Sequence, residues 1–174
     1  MCLNVFIIYQ RFFLILTIQL ATFVGYKRWT NYCTPILLEN YMFNYIKHFD
    51  VWFKIKPQLD DLSSYPKFQE GDVWWCHIGE NVGHEECGKG NKFLRPVVVL
   101  KKFNNRIFFG IPTSSKLKNS PFYRPTVIKG NRVSVLMSQM RLFDVKRLFY
   151  KQGKISPNEL NSLKKDFIKL LIKK

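Results

Sequence analysis

Acidic residues are scarce in this chain. Twelve Asp and Glu stand against 28 Lys and Arg in 174 residues, a formal net charge of +16. The imbalance is uneven: from Pro66 onward 22 Lys and Arg face 8 Asp and Glu, so +14 sits there and +2 in the first 65 residues. Such a surplus points to a polyanionic partner, although charge alone does not choose among polyanions, and a soluble surface biased towards lysine is the plain alternative. Cysteine is also scarce. Cys2, Cys33, Cys76 and Cys87 include no pair at the spacing of a zinc half-site and form no disulfide-rich pattern, so a metal ribbon and a disulfide scaffold are excluded. A reducing cytoplasm is the simplest setting. There is no internal repeat and no low-complexity tract. The Gly88-Lys89-Gly90 tripeptide lacks the Ser or Thr and the strand–loop–helix context of a nucleotide-phosphate loop, which excludes nucleotide hydrolysis.

What is present is organised around Gly71 to Ser115. Asp72 to Ile78 is aromatic and β-branched and reads as a strand. The loop Gly79 to Lys92 mixes four glycines with acids and lysines. Phe93 to Phe103 and Arg106 to Pro112 read as a hairpin around Asn104-Asn105, a dipeptide able to take the positive φ of a two-residue turn. The run Val97-Val98-Val99-Leu100 favours a buried strand over a helix. This layout puts a cation, Arg95, and a hydroxyl cluster, Thr113-Ser114-Ser115, on neighbouring strand ends, where both reach one phosphate.

On either side the reading is simpler. Ile46, Phe49, Trp52 and Phe53 recur at spacings of three and four, an aromatic helical face expected to pack on the sheet until Pro57 interferes. Ser63-Ser64-Tyr65-Pro66 reads as a linker. Lys116 to Arg124 is a basic loop able to overhang a groove and contact phosphates, with Lys116 and Lys118 as the candidate contacts. Pro125 to Ile128 and Arg132 to Met137 read as a second hairpin around Lys129-Gly130-Asn131. Ser138 to Asp144 is expected to leave the sheet, and Asp144 to cap a short helix over Val145 to Tyr150. The clearest helix start is Ser156-Pro157-Asn158-Glu159, followed by the apolar face Leu160, Leu163, Phe167 and Leu170.

The opening Gly-acid-Val-Trp resembles the start of the PemK/MazF family of toxin endoribonucleases. So do the loop leading to Arg95-Pro96-Val97-Val98-Val99, the Ile111-Pro112-Thr113-Ser114 segment, and Gln139-Met140-Arg141 through Arg147-Leu148. The likeness runs from about Tyr65 to Leu171 and rests on the order and spacing of these segments together. It implies a β-rich α+β fold: a small SH3-like barrel, here with a C-terminal helix and an N-terminal helical extension. It also implies a homodimer, an acidic antitoxin partner, and metal-independent cleavage of single-stranded RNA without a cofactor. A basic, aromatic domain suits that substrate, since lysines and arginines track phosphates while rings stack on bases.

RNA carries its own nucleophile, so the enzyme needs a cation for the added charge, a base for the 2′-hydroxyl and a donor for the leaving oxygen. Arg95 matches the family's essential arginine, and its fork suits two phosphate oxygens. The competing reading is an ion pair with Glu85 or Glu86. Thr113 matches the family's hydroxyl residue and would hold the scissile phosphate or a water, a role Ser114 and Ser115 share; a turn is the structural alternative. Many relatives carry an acid just before the Gln-x-Arg segment, where this chain has Ser138. That departure removes one candidate base and leaves His84, Glu85 or Glu86. Gln139 and Arg141 match by position and would hold substrate or the dimer interface. His77, on the first strand, reads as structural.

Val5 to Gly25 is strongly apolar but interrupted by Arg11. Three readings follow, in this order: an upstream extension with the working protein starting at Met42, a membrane anchor, and a signal peptide. The expected division is residues 1–40 as apolar extension, 41–64 as amphipathic helix and linker, and 65–174 as the toxin-like domain. Two further functions compete with the ribonuclease: a nucleic-acid-binding barrel that has lost catalysis, and a membrane-tethered interaction protein.

Overall fold

A computed structural model describes residues 46–172. The expectations placed on residues 1–45, including the apolar stretch and the start at Met42, lie outside the described residues. A compact unit begins at Lys47. It contains helix α1 (Phe49–Asp60), strands β1 (Asp72–His77), β2 (Leu94–Lys102), β3 (Ile107–Ser114), β4 (Tyr123–Ile128), β5 (Asn131–Leu136), β6 (Arg141–Asp144) and β7 (Leu148–Lys154), and helix α2 (Pro157–Ile172).

The strands pair in the order β4-β5-β3-β2-β1-β7, all antiparallel, with β6 added to β3. Strand β3 is the fork. Ile107 to Gly110 pair with β6, while Thr113 and Ser114 pair with β5. No pairing joins β4 to β7 among the described residues, so the barrel is an open one.

Both faces of β1, β2 and β3 are buried, which is why these strands read as near-continuous apolar runs rather than as alternations. One face packs Trp74, Cys76, Val97, Val99, Phe108 and Phe143 together with Phe68. The other packs Val73, Val98, Ile111 and Val135 against Leu160 and Leu163 of α2. The start of α2 follows its sequence signal, since the Glu159 amide donates to Ser156 Oγ at 3.2 Å. The Glu159 carboxylate does not turn back to complete a capping box. It accepts from Arg124 and Thr126 of β4, tying helix to sheet.

Four expectations are corrected. Residues 148–150 are strand, not helix: the helical part is one 3-10 turn, Val145–Arg147, whose Lys146 amide donates to Asp144 Oδ1 at 2.8 Å. Leu148 to Lys154 then pair with β1. Of Ser138 to Asp144, the chain leaves the sheet only through a 3-10 turn at Met137–Gln139 and Met140, because Arg141 to Asp144 return to pair with β3. Asn104-Asn105 adopts no positive φ; the connection spans residues 103–106, and Asn104 Oδ1 accepts from the amides of Arg106 and Ile107 instead. The two-residue turn with positive φ is Lys129-Gly130, at +49° and +77°. Finally, α1 runs through Pro57 to Asp60; Pro57 lacks the N–H that would bond the Phe53 carbonyl, and both residues are exposed. Of the expected aromatic face only Trp52 is buried; Phe53 is 59% exposed, and Ile46 precedes the helix.

Candidate active site

The loop between β1 and β2 is the scaffold of the site. Its two limbs cross closely: Gly88 N donates to Gly79 O at 2.8 Å, and Ile78 N and Gly79 N donate to Phe93 O at 3.0 and 3.3 Å. A side chain at position 88 would put its Cβ 1.8 Å from Phe93 O, so only glycine permits this crossing. Asn81 fills the loop interior, its Nδ2 donating to Glu86 O at 2.8 Å and its amide to Cys87 Sγ at 3.3 Å.

Arg95 lies under this loop, 7% exposed. Its Nε donates to Cys87 O at 2.8 Å, one terminal nitrogen to Thr113 O at 3.2 Å, and the other pairs with the Glu86 carboxylate. Thr113 is buried beside it, with Oγ1 donating to Pro96 O at 3.2 Å. The two residues therefore do meet across neighbouring strand ends, as the layout requires. The meeting is through the Thr113 carbonyl rather than its hydroxyl. Both simple alternatives are also present, the Arg95–Glu86 ion pair and a backbone bond from the Thr113 hydroxyl.

Glu86 is held from a third direction. Its amide donates to Gln139 Oε1 at 3.0 Å, and Gln139 Nε2 donates to His84 O at 3.3 Å. A glutamine 53 residues away thus fixes the acidic tip of the loop over the arginine. Compared with known families, the segment spanning residues 69–171 matches the PemK-like, MazF-like toxin of type II toxin–antitoxin systems. The chain belongs to this family. Among solved structures it is similar to MazF of Deinococcus radiodurans, at 23% identity and TM-score 0.51, covering 63% of this chain and 98% of that one. A mycobacterial endoribonuclease in complex with its cognate antitoxin is a weaker likeness, at 11% identity and TM-score 0.45, covering 60% and 94%. Comparison with curated protein sequences found no match.

The other candidates of this PemK/MazF-family toxin are distributed as follows. His84 and Glu85 are exposed at the loop tip. Ser114 is half-buried, and its Oγ accepts from the Lys116 amide at 3.2 Å, a local turn. Ser115 and Lys116 are exposed, while Lys118 Nζ sits 4.9 Å from the Tyr123 ring centre. Ser138 is exposed beside Gln139. Arg141 is turned towards the loop base, donating to Asn81 Oδ1 at 3.3 Å and to Ile78 O at 2.8 Å. Burial and the neighbouring Arg147 guanidinium lower its pKa, and burial lowers that of Arg147. Arg147 holds His77 O at 2.8 Å. His77 is a strand residue, with Nδ1 2.8 Å from Lys92 O and a pKa lowered by burial.

Two supports of this loop were not legible in the sequence, Asn81 inside it and Lys47 beside it, while Trp52 was expected only as part of a packing face and Arg147 only as part of the family-like segment. Lys47 acts through carbonyls 34 and 36 residues away, and Asn81 through bonds within an irregular loop that carries no period. Among the described residues, no three His, Cys, Asp or Glu converge as metal ligands. Nor is any described helix long and apolar enough to cross a membrane.

Proposed function

We propose that this toxin is a metal-independent endoribonuclease that cuts single-stranded RNA sequence-selectively, in the manner of an mRNA interferase. The observation that carries the reading is the convergence of Arg95 and Thr113 at adjacent strand ends beneath an acidic loop pinned by Gln139. The 2′-hydroxyl gives its proton to the base and attacks the adjacent phosphorus, and the bond to the 5′-oxygen breaks. That oxygen takes up a proton from the protonated base or water, leaving a 2′,3′-cyclic phosphate and a 5′-hydroxyl. Arg95 supplies positive charge to the phosphoryl oxygens. Glu86 pairs with one terminal nitrogen of Arg95, so an arriving phosphate competes with this carboxylate and takes its place. The exposed Glu85 and His84 stand at the loop tip as the base, and Lys116 and Lys118 meet flanking phosphates. Thr113 orients the scissile group, and Gln139 and Arg141 hold loop and substrate in register.

The same surplus of basic residues suits an acidic antitoxin that folds on the groove and blocks it, and the toxin works as a homodimer in the cytoplasm. Residues 65–174 carry the activity, with 41–64 as accessory helix and linker and 1–40 as an extension. A second reading draws on Ser138 and on the Arg95–Glu86 pair: the chain binds RNA without cutting it.

The test is incubation of the full chain with a long single-stranded RNA in EDTA, with mapping of the ends, beside Arg95→Ala and Thr113→Ala. Discrete cuts bearing cyclic or 3′-phosphate ends, lost in Arg95→Ala, are expected. Salt-sensitive binding with intact RNA would establish the silent module instead.

A further inference from the structure

Helix α1 and the residue pair that leads into it lie before the segment matched to the toxin family, yet they grip the loop that carries the acids. Lys47 Nζ donates to two loop carbonyls, Asn81 O and, at 2.9 Å, Gly83 O. The His48 amide donates to Glu80 Oε2 at 3.1 Å. One turn later Trp52, 4% exposed, lies edge-on to Phe93 with ring centres 5.6 Å apart, and the Arg147 guanidinium sits 5.6 Å from its ring centre. The far end of α1 is tied down as well, through Lys146 to Asp60.

Gly79 makes the fit specific. Its φ of +91° places the point where a Cβ would stand 2.3 Å from the Trp52 ring, so the indole occupies the space that glycine leaves. Loop and helix are therefore shaped for each other. The first limb of the loop is backed by the indole, and its turn at Asn81 to Gly83 is held by the ammonium. The base of the loop is cross-bonded, but Val82 to Glu85 at its tip are exposed, and a catalytic base displaced by an ångström loses much of its effect.

We propose that Lys47 and α1 form a clamp that positions the Gly79–Lys92 loop, and with it Glu85 and His84, for attack on RNA. The proposal rests on the ribonuclease reading above. Lys47 is a positioning residue: it touches the loop backbone rather than the reacting atoms. Its loss loosens the turn at Asn81 to Gly83, while Gln139 and Arg95 still hold Glu86 and Cys87, and Lys116 and Lys118 meet phosphate from another element. The signature is a fall in kcat with little change in KM.

The test uses the full chain with four substitutions: Lys47→Met, Lys47→Arg, Trp52→Leu and Lys54→Met. Lys54 is exposed on the same helix and controls for the loss of one positive charge. Hydrogen exchange is followed at residues 79–92, and cleavage is measured on one RNA across concentration. Lys47→Met is expected to speed exchange at Asn81 to Gly88 and to lower kcat about tenfold with KM within about twofold. Lys47→Arg restores both, and Lys54→Met changes neither. Trp52→Leu is expected to speed exchange at Gly79 as well. Unchanged exchange in the folded Lys47→Met protein overturns the clamp. Faster exchange with unchanged kcat overturns its positioning role. Equal losses in Lys47→Met and Lys54→Met would mean that charge alone is at work. If the unmodified chain cuts no RNA, the ribonuclease reading fails, and the exchange measurement still decides the clamp.

Discussion

Substituting Glu70 by Gln isolates one electrostatic link between the entry to β1 and the rest of the domain. Glu70 pairs with Lys164 of α2 at 2.6 Å and Lys101 of β2 at 3.0 Å, and accepts from the Lys102 amide at 3.1 Å. Burial alone would raise its pKa. The hydrogen bonds from Lys164, Lys101 and the Lys102 amide outweigh burial and hold it at about 2 instead of 4.5. Read as linkage, that difference sets a ceiling of about 3.4 kcal/mol at neutral pH. The Glu70 side chain is 28% exposed and that of Lys101 56%, so solvent screening brings the expected value to about 1–2 kcal/mol. The sign follows from the depressed pKa: the stabilisation is complete above pH 4.5 and is lost as pH falls from there towards 2. Urea unfolding of the full chain at pH 7, and at steps down to about 2.5, checks this. At pH 7 Glu70→Gln should lower the midpoint by about 0.5–1 M, for an m-value near about 2 kcal/mol/M. The gap between the two proteins should close as pH falls. A gap that is the same at both ends of the range would refute the electrostatic account and assign the loss to packing.

Three further outcomes are expected. Gly110→Ala would drive a methyl to 2.5 Å from Val97 Cγ1 and 2.9 Å from Phe143 Cδ2, both in the closed core, and should cost about 1–3 kcal/mol in chemical unfolding. Leu163→Ala removes a fully buried side chain of α2 from the cluster around Val98 and Ile111, with an expected loss of about 2–5 kcal/mol by the same measurement. Burial pushes the Cys76 thiol up, out of its reactive range, and raises that of Cys87 less completely. Native alkylation read by peptide mass spectrometry should therefore leave Cys76 unmodified while Cys87 reacts slowly.

The central three strands and the last helix were legible along the chain. Val97 to Leu100 cannot alternate because both faces of β2 are covered, and a short β-branched run of that kind has few other homes. Ser156 and Pro157 act within one turn, so the start of α2 is a local matter. The pairing of Arg95 with the Thr113 strand end was legible for a similar reason: a hairpin fixes which strand ends are neighbours. What needed the tertiary structure is everything held by a distant partner. Leu148 to Tyr150 is apolar enough for either helix or strand, and only the free edge of β1 makes it a strand. Arg141 to Asp144 is too short to show a period, and β3 decides its state. The Gln139 bond to Glu86 and the Lys47 grip on Asn81 and Gly83 join residues 53, 34 and 36 positions apart, distances at which no local pattern reports contact. Side-chain chemistry along the chain named the groups capable of acting on a phosphate. Folding decided which of them share a loop, and what holds that loop still.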